Sequence, residues 1–122
     1  MTDVVDASAI LAFLQGESGA QTVERILERG CDCSAVNWSE VAQKVRAAGG
    51  DWPIASALLS SYGVRVRDAT ADDAERAAAS WRRGSGRSLA DRFCLALAQR
   101  LDAVAWTADT AWGEDDRIRQ VR

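Results

Sequence analysis

Short apolar stretches alternate with segments of helical period along the whole chain, and this alternation constrains the fold more than any other feature. Residues 2–6 read as a strand that stops at Asp6. Residues 7–14 then carry Ile10, Leu11, Phe13 and Leu14 at helical spacing, closed by Gly16. A second helix is predicted over 18–29, with Val23, Ile26 and Leu27 on one face and Gly30 as its stop. Residues 31–36 form a second predicted strand. A third helix opens at Asn37 and runs to about residue 48, before Gly49 and Gly50. Asp51-Trp52-Pro53 starts a fourth, with an acidic cap and proline in the first turn, and Gly63 ends it. Val64-Arg65-Val66-Arg67 alternates, which predicts a strand near a sheet edge. Thr70, with Asp73 three residues on, opens a helix over 70–83. After Gly84-Ser85-Gly86, residues 88–101 form the most apolar helix, expected to be central and buried on most sides. Residues 103–106 are an unbroken apolar strand of the kind covered on both faces, and 118–121 offer a fifth strand.

Strands separated by helices build a parallel sheet between helical layers. The expected architecture is therefore α/β, in three layers, with a central parallel sheet of four to five strands flanked by helices. The 122 residues show no repeat and suit one hydrophobic core, so a single domain over 1–122 is expected. No apolar run is long enough to cross a bilayer. The first residues include Asp3 and Asp6 and lack the basic start and apolar stretch of an export signal. The expectation is a cytoplasmic protein with no membrane association.

Composition removes whole classes of chemistry. The chain has no histidine, so Ser–His–Asp and Cys–His triads and histidine-ligated metal centres are impossible. Cys31, Cys33 and Cys94 make an odd count, which argues against a disulfide framework. Cys31-x-Cys33 alone falls short of the four ligands that a structural zinc site needs. The three thiols read instead as small packing residues. A net charge of -3 is a poor footprint for a protein that coats nucleic acid, yet it suits a hard cation held in an acidic pocket. Arg82, Arg83, Arg87 and Arg92 cluster in sequence beside one candidate acid. Arg87 and Arg92 are candidates for phosphate contact, although a solvated helix end would carry the same residues.

In open parallel sheets, ligands bind beyond the carboxyl ends of the strands. Asp6 ends the first predicted strand and Asp109 follows the fourth, so both belong on that rim. Glu40 and Asp91 fall in the first turns of helices that leave it. Four carboxylates from four segments could therefore converge. Mg²⁺ and Mn²⁺ prefer such oxygen ligands, and metal-assisted hydrolysis of a phosphodiester needs no histidine. Each acid also has a plainer reading. Asn37-Trp38-Ser39-Glu40 and Ser88-Leu89-Ala90-Asp91 both have the form of a capping box, which would use Glu40 and Asp91 only to close helix ends. Ser8 and Thr107 could support a carboxylate or a metal-bound water, or simply bond local backbone. Asp115 and Asp116 sit in an acidic stretch with Glu114, solvated in the plain reading, with one of them within reach of the site in the other.

Taken in order, Val5-Asp6-Ala7-Ser8-Ala9-Ile10-Leu11, Asn37-Trp38-Ser39-Glu40-Val41, Leu89-Ala90-Asp91-Arg92-Phe93-Cys94-Leu95-Ala96-Leu97-Ala98 and Thr107-Ala108-Asp109-Thr110-Ala111-Trp112 resemble the successive motifs of PIN-domain proteins. The nearest likeness is to the VapC toxins of type II toxin–antitoxin systems, and it covers nearly the whole chain. The resemblance implies a PIN-like fold and a metal-dependent endoribonuclease that uses Mg²⁺ or Mn²⁺ to cut structured RNA such as tRNA or rRNA. It implies a homodimer, inhibited by a cognate VapB-type antitoxin that places a basic side chain in the acidic pocket. The family's catalytic and metal-binding acids map onto Asp6, Glu40, Asp91 and Asp109, all acidic here. Trp106 departs from the smaller aliphatic residue usual before the Thr-Ala-Asp motif.

Rival readings fit less well. A response-regulator receiver needs a lysine after its fifth strand, but Lys44, the only lysine, falls in the third predicted helix. A haloacid-dehalogenase-type phosphatase needs Asp-x-Asp, and Asp6-Ala7-Ser8 lacks the second acid. The remaining alternative is a PIN-fold module that binds RNA or a partner protein without catalysis, against which the intact acidic quartet argues.

Overall fold

The computed structural model describes residues 2–122. Its five strands are β1 (Thr2–Val5), β2 (Cys31–Ser34), β3 (Val64–Arg67), β4 (Ala103–Thr107) and β5 (Ile118–Gln120). They form one sheet in the order β3-β2-β1-β4-β5, and every pairing is parallel. All the strand carboxyl ends therefore share one rim. The helices are α1 (Ala7–Leu14), α2 (Ala20–Arg29), α3 (Ala35–Ala47), α4 (Trp52–Tyr62), α5 (Ala71–Ala79) and α6 (Leu89–Arg100), with a 3-10 turn at Thr110–Trp112.

Successive side chains of a strand point to opposite faces, and β1 shows how this builds three layers. Val5 enters a cluster with Ile10, Val23, Leu27, Val41 and Leu59, from α1 to α4. Val4 enters a second cluster with Cys94, Leu97 and Ala98 of α6 and Ala103, Ala105 and Ile118 of the sheet. Both valines are fully buried. The alternating Val64–Arg67 segment is an edge strand, as its pattern predicts.

Four local expectations need correction. The second strand stops at Ser34, not at residue 36, because the Ser34 hydroxyl accepts from the Val36 N–H and caps α3 two residues before the capping box expected at Asn37. The second helix starts at Ala20 because Gly19 is its cap, at φ 93°. A Cβ at Gly19 would lie 2.8 Å from the Val121 carbonyl oxygen, so glycine is required there twice over. The fifth helix ends at Ala79, not 83, where Arg82 Nη1 donates to the carbonyls of Ala79 and Trp81. Finally, α6 is buried on most sides only through its middle, at Cys94, Ala96, Leu97 and Ala98, while Leu89 at its start is 57% exposed. Cys31, Cys33 and Cys94 are all buried, free thiols. Trp106 fits beside β1 by donating from Nε1 to Asp3 Oδ1 at 2.9 Å.

Candidate active site

The rim is built outward from Asp6. This residue follows β1 and caps α1, so its carboxylate is fixed by backbone geometry before any distant contact forms. Its Oδ1 accepts from the Ala9 N–H at 2.8 Å and from the Ser8 hydroxyl at 2.8 Å. Its Oδ2 accepts from the Thr107 hydroxyl at 2.6 Å, from the end of β4. Both hydroxyls also accept backbone bonds, Ser8 from the Ala108 N–H at 2.9 Å and Thr107 from the Asp109 N–H at 3.0 Å. Each hydroxyl spends its single proton on Asp6, so the carboxylate has little freedom to rotate. Ser8 and Thr107 thus support a carboxylate and bond nearby backbone at the same time.

Asp6 is only 3% exposed. Burial pushes its pKa up from 3.8 to about 6. The bonds from Thr107, Ala9 and Ser8 pull the other way without prevailing, and the charge of Asp91 adds a smaller upward push. Among the described residues no basic side chain forms an ion pair with Asp6, Asp91 or Asp109. Elsewhere the chain does pair its buried acids. Asp32 is held by Arg65 and Arg67, and Asp73 by Arg100.

Asp91 makes the capping box that its motif predicts. Its Oδ2 accepts from the Ser88 N–H at 2.9 Å, and the Ser88 hydroxyl accepts from the Asp91 N–H at 3.1 Å. Glu40 makes no capping box. It lies in the second turn of α3, half-buried, with Lys44 Nζ 3.5 Å from its Oε2. Asp6, Asp91 and Glu40 all lie near enough to Cys94 that, after burial itself, their charges help push its thiol well above its ordinary pKa. Asp109 joins through Thr107, which links its N–H to Asp6, while its own carboxylate caps the 3-10 turn by accepting from the Ala111 N–H. Arg87 bridges the entry of α6 to that turn. Its Nη2 donates to the Trp112 carbonyl at 3.4 Å and its Cζ lies 5.8 Å from the centre of the Trp112 ring. Arg92 donates from Nη1 to the Ala77 carbonyl at 2.6 Å and ties α6 to α5. Asp115 accepts from the Arg117 and Ile118 N–H groups and shapes the turn into β5, and Asp116 is exposed.

Asn37 is a site residue that sequence reasoning took for a helix cap. It is fully buried, and its Nδ2 donates to the Ala90 carbonyl at 3.1 Å, next to Asp91. Its Oδ1 is buried without a partner. The signals that the sequence carries for it are its place in the Asn37–Val41 motif and its polar character within a helical period.

This donor set fits a hard divalent cation in its chemistry. It is all oxygen, and it centres on a desolvated carboxylate with no counter-charge among the described residues. As the side chains stand, no three potential ligands among the described residues are gathered closely enough to hold one ion. Asp91 is engaged by the Ser88 N–H and Glu40 by Lys44.

Comparison with known proteins agrees with this geometry. The PIN domain family model matches residues 4–117. Ribonuclease VapC42 of Mycobacterium tuberculosis is 38% identical over 109 residues, covering 79% of this chain and 82% of that protein. A toxin–antitoxin complex from Klebsiella pneumoniae contains a chain of the same fold, with TM-score 0.77, 21% identity and coverage of 99% and 98% of the two chains. Mycobacterium tuberculosis VapC20, a toxin that cleaves the sarcin–ricin loop, superposes with TM-score 0.71 at 23% identity, over 94% of this chain and 98% of that one. The sheet order, the acidic rim and these likenesses together show that this chain belongs to the PIN-domain family, among the VapC ribonucleases.

Proposed function

We propose that this protein is a toxin endoribonuclease that hydrolyses RNA phosphodiester bonds with the help of Mg²⁺ or Mn²⁺. Asp6, Glu40, Asp91 and Asp109 would hold the ion. In the cytoplasm it would act as a homodimer and be neutralised by a VapB-type antitoxin. The observation that carries this reading is Asp6: a 3%-exposed carboxylate at the carboxyl rim of the sheet, held by three donors, within reach of the Asp91 charge and with no cationic partner among the described residues. A buried charge left so costs free energy unless a cation offsets it. The ribonuclease activity of the VapC relative supports the same conclusion.

The chemistry that such an ion supplies when bound is Lewis-acid polarisation of a phosphoryl oxygen and neutralisation of developing charge. The chain's own residues prepare for it. Ser8 and Thr107 orient both oxygens of Asp6 by donating to them. Ser88, through its N–H, fixes one oxygen of Asp91 and leaves the other available. Glu40 projects from a rigid helix that Asn37 clamps to the backbone beside Asp91. The guanidinium of Arg87, parked against Trp112, stands between the segments that carry Asp91 and Asp109.

The direct test is cleavage of total RNA by the purified chain with Mn²⁺ or Mg²⁺, against EDTA and against Asp91→Asn. We expect cleavage only with the metal and only in the unsubstituted protein. Metal-independent cleavage, or an Asp91→Asn variant as fast as the parent, would refute the assignment. Tight RNA binding with no cleavage under any metal would establish a binding module instead.

A further inference from the structure

The segment joining α5 to α6 differs in character from the rest of this acidic chain. Residues 80–88 contain no acid, yet carry Arg82, Arg83 and Arg87. Trp81 lies within it and is 50% exposed, although folding normally buries most of a tryptophan. It belongs to neither apolar cluster. Instead the Arg83 guanidinium sits over its ring, 5.6 Å from the centroid. Gly84 and Gly86 take φ of 76° and 75° in open space, so the loop stands clear of the body. Its far end is anchored at the acids, through Arg87 to the Trp112 carbonyl and the Ser88 N–H to Asp91. The six residue-to-residue steps from Trp81 to Arg87 span at most about 22 Å even when fully extended. An exposed aromatic, with a guanidinium resting on its ring, thus lies within a few nucleotides of the carboxylates.

Proteins hold unpaired nucleotides with this pair of groups. Bases stack on the aromatic ring, and arginine meets the phosphate and stacks as well. An acidic peptide would engage the arginines but leave the ring unused, so the aromatic favours RNA. We propose that Trp81 and Arg83 form a docking platform for an unpaired nucleotide of the RNA substrate, with Trp81 stacking on the base and Arg83 contacting the adjoining phosphate. The inference rests on the ribonuclease reading and adds to it a pair of residues that would contact the substrate away from the acids. The RNA must offer a single-stranded loop, bulge or end, since bases within a continuous duplex are not free to stack on protein.

The test uses the full chain with Asp91→Asn, so that RNA stays intact, and measures fluorescence anisotropy of a labelled single-stranded oligoribonucleotide. Adding Trp81→Ala should weaken binding between about 5- and 150-fold, the equivalent of about 1–3 kcal/mol. Trp81→Phe should retain most of the affinity, because a ring remains. Arg83→Gln should lower the slope of log affinity against log salt by about 0.7. A duplex of the same sequence should not distinguish Trp81→Ala from its parent. Equal affinity of the parent and Trp81→Ala for the single strand overturns the proposal, as does Trp81→Phe failing as badly as Trp81→Ala. If the unsubstituted enzyme cuts RNA with Mn²⁺ and Trp81→Ala binds as its parent does, only this platform falls. If the unsubstituted enzyme neither binds nor cuts RNA, the ribonuclease reading falls and takes the platform with it.

Discussion

Replacing Asp6 by asparagine should stabilise the metal-free protein at neutral pH and fail to do so in acid. The folded-state pKa of Asp6 is about 6, against 3.8 for a free aspartate, chiefly because of burial. A raised folded pKa means that the folded state binds the proton more tightly than the unfolded chain does. The stabilising contribution is therefore fully present below about pH 4 and is lost as pH rises through about 6. A difference of about 2.2 pKa units corresponds to about 3 kcal/mol, so at pH 8 the charged carboxylate leaves the fold less stable by that order. Asparagine has nearly the same shape and no charge. It retains one acceptor oxygen, so the Thr107 or the Ala9 bond is weakened at a cost of about 1 kcal/mol. The net gain at pH 8 is then about 2 kcal/mol, worth roughly 8 °C in Tm for a domain of this size. At pH 4 Asp6 is itself protonated, and the variant should be slightly less stable than the parent. Urea denaturation in EDTA at several pH values from 4 to 8 measures both curves. A constant difference across that range would refute the argument, because the effect would then owe nothing to the charge. Excess Mn²⁺ should raise the Tm of the parent and leave the variant nearly unmoved.

Two further substitutions probe the frame around the site. Asp32 is fully buried in β2; burial alone would raise its pKa, but the bonds from Arg65 and Arg67 outweigh burial and hold it below the ordinary value. Asp32→Asn should cost about 3 kcal/mol at pH 7 in a denaturation series, and the loss should shrink as acid below pH 4 protonates the parent; an effect near zero at pH 7 would show that the pair is not needed. Asn37→Asp should destabilise by several kcal/mol more than Asn37→Leu, because it sets an unpaired charge in a buried position facing the Ala90 carbonyl beside Asp91; equal melting curves for the two variants would contradict the burial argument.

Sheet and helices were largely legible in the sequence because their signals are local. Alternation at Val64–Arg67, glycine after α2 and α4, and proline at the start of α4 act within a few residues of themselves. The boundary at α3 was misread because two capping residues competed. Ser34 and Asn37 are both good caps, and only the end of the β2 pairing with β3 at Ser34 decides between them. The acids were legible as candidates from their positions beside predicted elements, but their roles were not. Asp91 and Glu40 share one sequence form, yet Asp91 makes the capping box and Glu40 does not.

By itself, then, the sequence determined the α/β class, the succession of elements, the exclusion of histidine chemistry and the four candidate carboxylates. Tertiary structure alone decided the strand order, which sets β1 between β2 and β4 and brings Asp6 beside Thr107 across 101 residues. It also decided that Asp6 has no cationic partner among the described residues while Asp32 and Asp73 have theirs, that Arg92 serves the α5–α6 contact, and that Trp81 stays outside the core. The physical reason is range. Backbone propensity and hydrophobic period act over a few residues, whereas desolvation and hydrogen bonding at the rim depend on which distant segments the folded sheet sets side by side.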